Sequence, residues 1–595
     1  MNRSFDFIIH VLLGLFLVKE ASALGDCKCA PSDPCWPSSD RWRSLNGTLN
    51  GRLIQFMPPA SVCYSSQSNY NESNCSEVLK QWETFSFHSA NPGSVPYIWS
   101  NETCLPVYPN GTSISGDRRA AEKGCAVGML PPYIVNATET KHVQAALEFA
   151  KVWNLRVTIK NTGHNGAGRI WTHHMKGIKL HKKFQISSCD KRSAERKPQM
   201  AATLGAGVQD GELFSILSRL NATAVGGTNM DVGVVGWATG GGHGYMTGKY
   251  GMGADNILEV ELVTPSGKAL TVNECQEPDL FWAIRGGGGG TFGVITSMTV
   301  KAYPLPSMIM GGFTFTARNG TSPAAFYQKT AEVHGLLPVM QDKGVHGYYT
   351  ISGPPYSEAL TFSGSLFMWN GSNQTFEDAV RPFRQLLQAS DEVTSSVTQL
   401  PLYSFSDLLD NLPTIDGVSA TTSITASRLI SRKVVTENQK GLASALQKIG
   451  PRATLSTDGL PNVSLSGTFT ISKKAVNNSL NPAWRDTVVH LVFSQAWQHS
   501  TPASRARTIV NDITYKGLNV LRQLDPESGA YLNEANPFEP GWQWSFFGPN
   551  YGRLHSIKTT YDPTGLLWCR QCVGSEDWFQ REDGKLCRVY NPFDT

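Results

Sequence analysis

The chain has 595 residues, 40% of them hydrophobic and only 17% charged, which is enough apolar material for large buried cores and too much for a disordered chain. Its formal net charge of +4 is small beside 52 basic and 48 acidic side chains. Neither nucleic acid nor an anionic membrane surface is therefore indicated as its main partner.

Residues 1–23 open with Arg3, continue in an apolar run from Phe7 to Val18 broken only by His10, and end in Ala21-Ser22-Ala23. This is the pattern of a secretory signal peptide, and the run is too short to span a bilayer comfortably. No later stretch is apolar enough to span, so the mature chain is expected to be secreted and free of the membrane. Residues 24–125 are rich in Cys, Pro, Ser and Asn and show little periodicity. They carry Cys27, Cys29, Cys35, Cys63, Cys75, Cys104 and Cys125 of the 12 cysteines, and they read as an extension stapled by disulfides. About a dozen Asn-x-Ser/Thr sequons, among them Asn46, Asn101, Asn136, Asn221, Asn370 and Asn462, point to N-linked glycans. Cys569 and Cys572 form a CxxC with no second such pair nearby, and a disulfide to some partner is expected there rather than zinc.

From Pro131 the pattern changes. Tyr133-Ile134-Val135 reads as a short strand; Val143, Ala146, Leu147 and Ala150 make one face of a helix; Arg156 to Lys160 alternates as a strand. A first glycine loop, Asn161 to Gly168, follows. Next come a strand ending at Ala206 and a helix with Leu213, Ile216, Leu217 and Leu220 on its apolar face. A second glycine-rich stretch runs from Gly226 to Gly244. Ile257–Val263 and Ala269–Val272 form a hairpin about Pro265-Ser266-Gly267. A short helix, Asp279–Arg285, leads into the third loop, Gly286 to Gly290. Beyond Pro304 and Pro306 the glycine clusters end. Alternating runs at 347–351, 360–369 and 488–493 predict a second sheet with helices.

Glycine lets another molecule approach the main chain, and consecutive bare N–H groups form nests for anions. Three such loops in one region predict a diphosphate cradle. None carries a P-loop lysine, and their spacing does not match a Rossmann fingerprint. The nucleophile elbow and the zincin motif are also missing, which argues against two common kinds of secreted hydrolase. Adjacent histidines, His173 and His174, would point to opposite faces of a strand, so no metal site is expected.

The first loop, the segment Pro278 to Thr296, and Gly240-Gly241-Gly242-His243-Gly244 closely resemble the FAD-linked oxidases of the vanillyl-alcohol-oxidase and berberine-bridge-enzyme superfamily. So do Ala530-Tyr531-Leu532-Asn533, Asn550-Tyr551-Gly552-Arg553-Leu554 and Lys558 to Pro563. Cys35-Trp36-Pro37-Ser38 and Ile170 to Gly177 resemble its secreted fungal branch, which includes isoamyl-alcohol-oxidase-like and secondary-metabolite enzymes.

The resemblance implies an α+β fold, with a two-part FAD-binding domain of the p-cresol-methylhydroxylase (PCMH) type. Its parts would be residues 126–303 and 525–595, with an inserted α+β substrate domain at 304–524 whose antiparallel sheet is covered by helices. It implies FAD as cofactor, a small-molecule substrate and O2 as partners, and cofactor contacts from Asn161, Thr162, Gly163, His164, Gly226, Gly227, Thr228, Gly233, Gly236, Gly240, Gly241, Gly242, Gly244, Ile295, Asn550 and Tyr551. His164 matches the histidine that relatives attach to the flavin. The family's second attachment point, a cysteine, is replaced by Asn229. The loop after His164 is shorter than in relatives, so covalent and non-covalent attachment both stay open. Tyr531 is the candidate catalytic residue. Asn533 is expected on the same strand face, and Glu534 is read as solvent-facing or as a substitute base.

The implied reaction is hydride transfer from an alcohol or amine to FAD, with O2 reduced to H2O2. Small-alcohol oxidation and secondary metabolism, ergot-type alkaloids included, are the settings the resemblance suggests. The competing expectation is a secreted glycoprotein that keeps the fold and binds a ligand with little catalysis.

Overall fold

A computed structural model describes residues 27–95, 103–164, 168–186, 189, 197–400, 402–411, 422–498, 500–581 and 583–589. The segment read as a signal peptide, the Asn101 sequon and Asn165 to Ala167 lie outside the described residues.

Strand alternation builds the largest sheet, seven antiparallel strands in the order Val393–Leu400, Met308–Ala317, Thr361–Trp369, Val345–Ser352, Ser464–Thr468, Thr487–Trp497, Thr422–Ser431. Successive side chains leave a strand on opposite faces. Ile351, Phe362, Leu465, Leu491 and Phe493 therefore share one face, which packs on the helices Pro323–Asp342, Asn373–Gln388 and Gln439–Ile449 to form one core. Each such side chain is worth about 1.5–3 kcal/mol when buried. The other face carries Tyr348, Thr350, Ser363, Ser365, Ser466 and Thr468, which the register sets side by side.

A second sheet has six strands. Ile178–Phe184, Gln199–Gly205, Val294–Pro304, Ile257–Val263 and Ala269–Asn273 follow one another, and Ala222–Ala224 also pairs with Val294–Pro304. The expected hairpin is its edge. A small sheet orders Leu53–Gln55, Tyr133–Asn136, Ile170–Trp171 and Ile159–Lys160. Its last three strands are parallel. The helix Thr140–Val152 packs over it through Val143, Ala146, Leu147 and Ala150.

The C-terminal helix Tyr551–Tyr561 packs Leu554 and Ile557 into the core shared with Leu280 and Phe281. Its Lys558 is buried. Nζ lies 2.7 Å from the Asp562 carboxylate and donates to the carbonyls of Thr291 and Leu567. One ammonium thus fastens the third glycine loop to the end of the chain. All 12 cysteines are paired, in six disulfides, and Cys27–Cys587 joins the two ends of the described chain. No helix among the described residues is long and apolar enough to cross a membrane.

Several local expectations are corrected. Of Arg156–Lys160 only Ile159 and Lys160 form a strand, because Val157 bridges to Leu567 in the C-terminal segment instead. In the helix Asp210–Ser218 the inner face is Leu213, Phe214 and Leu217. Phe214 meets Phe405 edge-on at 5.0 Å, which leaves Ile216 exposed, and Leu220 lies past the helix end, also exposed. The aperiodic N-terminal extension contains helices at Ser39–Thr48, Glu72–Gln81 and Phe85–Ala90. Side chains of Asn71 and Thr84 cap two of them. Cys569 pairs with Cys572, not with a distant partner. Asn462 is unsuited to carry a glycan in the folded chain. It is 7% exposed and its amide donates to the carbonyls of Pro354 and Arg452.

Candidate functional site

Strand residues from the three larger sheets contribute to the wall of one cavity of about 1620 Å³. Asn161–His164, the turn after Ile159–Lys160, forms one side. Val232, Gly233, Val235 and Gly236 form the next, and Gly287–Gly290 with Gly293 and Ile295 the third. Tyr531 to Ala535 line it too, together with Ile424, Val492 and Ser494 of the seven-stranded sheet.

Glycines from all three loops lie on this wall. In Gly287–Gly290, φ is +96° at Gly288 and +68° at Gly290, conformations that suit glycine. A Cβ added to Gly236 would meet no protein atom within 4 Å, so that position faces open cavity. The ionisable lining is basic: Lys123, Arg156, Lys160, Arg507 and Arg570 against Asp117 and Glu534. Lys160 donates to the carbonyls of His88 (2.9 Å) and Asn91 (2.5 Å), and burial lowers its ammonium to about 7. Bare amides and cations suit a diphosphate, while Val232, Ile295, Leu532 and Trp568 offer apolar contact for rings. The residues present fit a dinucleotide such as FAD.

His164 is oriented from two sides. Its ring stacks on Phe85, with centroids 4.5 Å apart, and its Nε2 lies 3.2 Å from Asp231 Oδ2. Asp231 is itself fixed, since Oδ1 accepts from Ser89 (3.0 Å) and Gln209 (2.7 Å). Nδ1 is the ring nitrogen this arrangement leaves over. Asn229 also lies on the wall, with Oδ1 accepting from the Asp231 N–H, and with every cysteine in a disulfide no thiol stands by.

Tyr531 is 2% exposed, ringed by His243, His490 and Trp484 at 5.3, 5.6 and 5.5 Å. It is an extended residue before the 3-10 turn Leu532–Glu534, not part of a strand. The turn lets Asn533 Nδ2 reach back 2.8 Å to donate to the Tyr531 hydroxyl. Burial drives that phenol far above its ordinary range. The Glu534 side chain is 41% exposed at the cavity wall, yet its carboxylate is engaged. Oε1 lies 3.0 Å from His243 Nε2, and Oε2 lies 3.6 Å from His490 Nδ1. Burial alone would raise its carboxyl, but the His243 charge and hydrogen bond, with His490, hold it at about 2. Burial lowers His490 to about 4.

Asn161, Thr162, Gly163, His164, Gly233, Gly236, Ile295 and Tyr531 thus share one wall. The other expected contacts do not reach it. A side chain on Gly226 or Gly227 would strike buried Asp210, and on Gly240, Gly241 or Gly242 it would strike Asn533, Leu480 or Trp237. At Gly244 it would strike the Gly226 carbonyl. These glycines let layers pack behind the wall, and Thr228 lies beside them, half-buried. Asn550 donates to the carbonyls of Ser479 and Leu480 at 3.2 Å each, and Tyr551 bonds Glu576, so neither points at the cavity. His173 and His174 sit in a turn rather than on a strand, bound to Asn161 and Asn136. Sequence reasoning marked the Gly286–Gly290 loop as part of the cradle but missed Lys160, Asp231, His243 and His490. The histidine in Gly242-His243-Gly244 was the available signal.

Two family models match: "FAD binding domain" over residues 131–273 and "Berberine and berberine like" over 530–574. The FAD-linked oxidoreductase patO of Aspergillus clavatus is 33% identical, over 95% of this chain and 94% of its own. The VAO-type flavoprotein oxidase VAO615 of Thermothelomyces thermophilus is 33% identical over 95% of each chain. The crystal structure of the VAO-type flavoprotein MtVAO615 from Myceliophthora thermophila C1 superposes with a TM-score of 0.82. It is 30% identical and covers 95% of this chain and 100% of that one.

Proposed function

The chain belongs to the FAD-linked oxidoreductases of the VAO and berberine-bridge-enzyme family, and on that premise we propose that it oxidises a small neutral alcohol, or the equivalent amine, with O2 as the final acceptor. Bound FAD would supply the hydride acceptor. The chain's own part is to seat it: Gly233, Gly236 and Gly287–Gly290 give main-chain contacts, Arg156 favours the diphosphate, and Ile295 packs against a ring. His164 is the attachment point, with Asp231 on Nε2 leaving Nδ1 to meet the flavin. Residues 126–303 and 525–595 form the cofactor lobe and 304–524 the substrate lobe.

A second cavity of about 490 Å³ lies on the open face of the seven-stranded sheet, lined by Thr350, Ser363, Ser365 and Ser466 and by no lysine or arginine. That lining favours an uncharged, hydroxyl-bearing substrate of the kind secondary metabolism supplies. Full pairing of the cysteines supports a secretory compartment. The observation that carries the reading is one basic cavity whose lining joins three glycine loops to Tyr531 and Glu534. Peroxide release by the purified protein across a panel of neutral alcohols and amines tests it; a flavin-loaded protein that releases none with any of them contradicts the oxidase reading.

A further inference from the structure

Glu534 and Val492 are the two residues that line both cavities, so the Glu534 carboxylate is the polar group at their junction. A hydrogen-bonded row stands behind it. The Tyr348 hydroxyl lies 3.2 Å from His243 Nδ1, and His243 Nε2 lies 3.0 Å from Glu534 Oε1. Burial keeps the Tyr348 phenol protonated. A carboxylate can only accept, so the Nε2–H of His243 donates to Glu534. Oε2 is left with no hydrogen bond from this row. Exposure sorts the groups as well: the side chain of Glu534 is 41% exposed, those of His243 and His490 only 10% and 1%. Of these three groups the carboxylate is the most open to a molecule in the cavities.

Tyr531 is differently placed. Its oxygen accepts from Asn533 and faces the Gly242 N–H, so its own proton is the part left to offer. We propose that Glu534, oriented by His243, takes the hydroxyl proton of the substrate, and that Tyr531 serves as a hydrogen-bond donor beside it. The proposal rests on the oxidase reading above. In the step the substrate O–H breaks and its proton goes to Glu534 Oε2. The carbinol C–H breaks, hydrogen and electron pair leave for FAD, and the C=O bond forms. O2 recovers the two electrons and, with two protons, leaves as H2O2. His243 is a positioning residue: its N–H keeps the carboxylate charged and turned to the junction.

The test is anaerobic mixing of the flavin-loaded protein with benzyl alcohol, isoamyl alcohol and glucose, following loss of the oxidised flavin spectrum. Glu534→Gln keeps an oxygen to accept the His243 N–H, so the row survives, but it cannot take a proton. It is expected to retain its flavin and reduce it about 10²–10⁴-fold more slowly than the wild type. His243→Asn removes the ring N–H that stabilises the Glu534 carboxylate, so the acid limb of the rate profile should move to higher pH. That shift separates positioning from loss of fold, which would lower the rate at every pH. Equal bleaching of wild type and Glu534→Gln overturns the proposal alone. A wild type bleached by none of the alcohols overturns the oxidase reading and the proposal with it. A wild-type rate lost to EDTA and restored by Zn²⁺ would make His243, His490 and Glu534 metal ligands and overturn it too.

Discussion

Gly236 separates folding from cofactor binding. It lies in the helix Val234–Thr239, and its missing Cβ points into the cavity with no protein atom within 4 Å. Replacing a helical glycine gains up to about 1 kcal/mol of intrinsic helix stability, so Gly236→Leu should leave the apo fold at least as stable. The same side chain would occupy space that the cofactor needs. Overpacking a filled site costs about 1–3 kcal/mol, which at about 1.4 kcal/mol per decade weakens FAD binding roughly 5- to 150-fold. The assay is flavin bound per chain from the visible spectrum after titration with FAD, alongside circular dichroism and gel filtration. Gly233→Leu is the contrast: its Cβ would lie 2.3 Å from Asn161 Nδ2, so folding itself should suffer. Folded Gly236→Leu with wild-type flavin content would refute the placement of the cofactor.

Asp231→Asn should lower the fraction of flavin that survives acid precipitation several-fold, because the carboxylate that orients His164 Nε2 is gone; an unchanged fraction would show that Asp231 has no such role. Lys558→Met leaves Asp562 buried without its partner and should cost about 3–5 kcal/mol, read as a lower urea midpoint; an unmoved midpoint contradicts it. Asp210 is fully buried, and burial raises its carboxyl to about 8 against the Gly227 N–H. A raised carboxyl means the folded state holds a proton that the unfolded state releases, so stability is lost as pH climbs from the ordinary carboxylate range to about 8. Asp210→Asn should therefore raise the melting temperature more at pH 8 than at pH 5, and equal shifts at both would count against this.

Periodicity found the long strands, the hairpin and the helix over the small sheet, because each pairs one buried with one exposed face. It failed where partners come from afar. Val157 is held by Leu567, more than 400 residues on, and no local signal announces that. Glycine clusters marked the cavity but did not distinguish their two uses. Gly236 and Gly288 bare the wall, Gly226, Gly240 and Gly244 make room for Asp210, Asn533 and another carbonyl, and Gly233 does both, lining the cavity with Asn161 packed against it. Both uses demand the absence of a Cβ, so the sequence alone cannot separate them. The polar cluster was hidden for the same reason. His243, Tyr348, His490 and Glu534 are far apart in the chain and meet only when the seven-stranded sheet closes over the glycine loops.

The most direct measurement is to precipitate the purified, full-length protein with acid, digest it, and identify the peptide that carries the flavin. The account predicts one flavin per chain, held on the peptide that contains His164. Flavin on another peptide would contradict the site, and a colourless protein that takes up no added FAD would contradict the account as a whole.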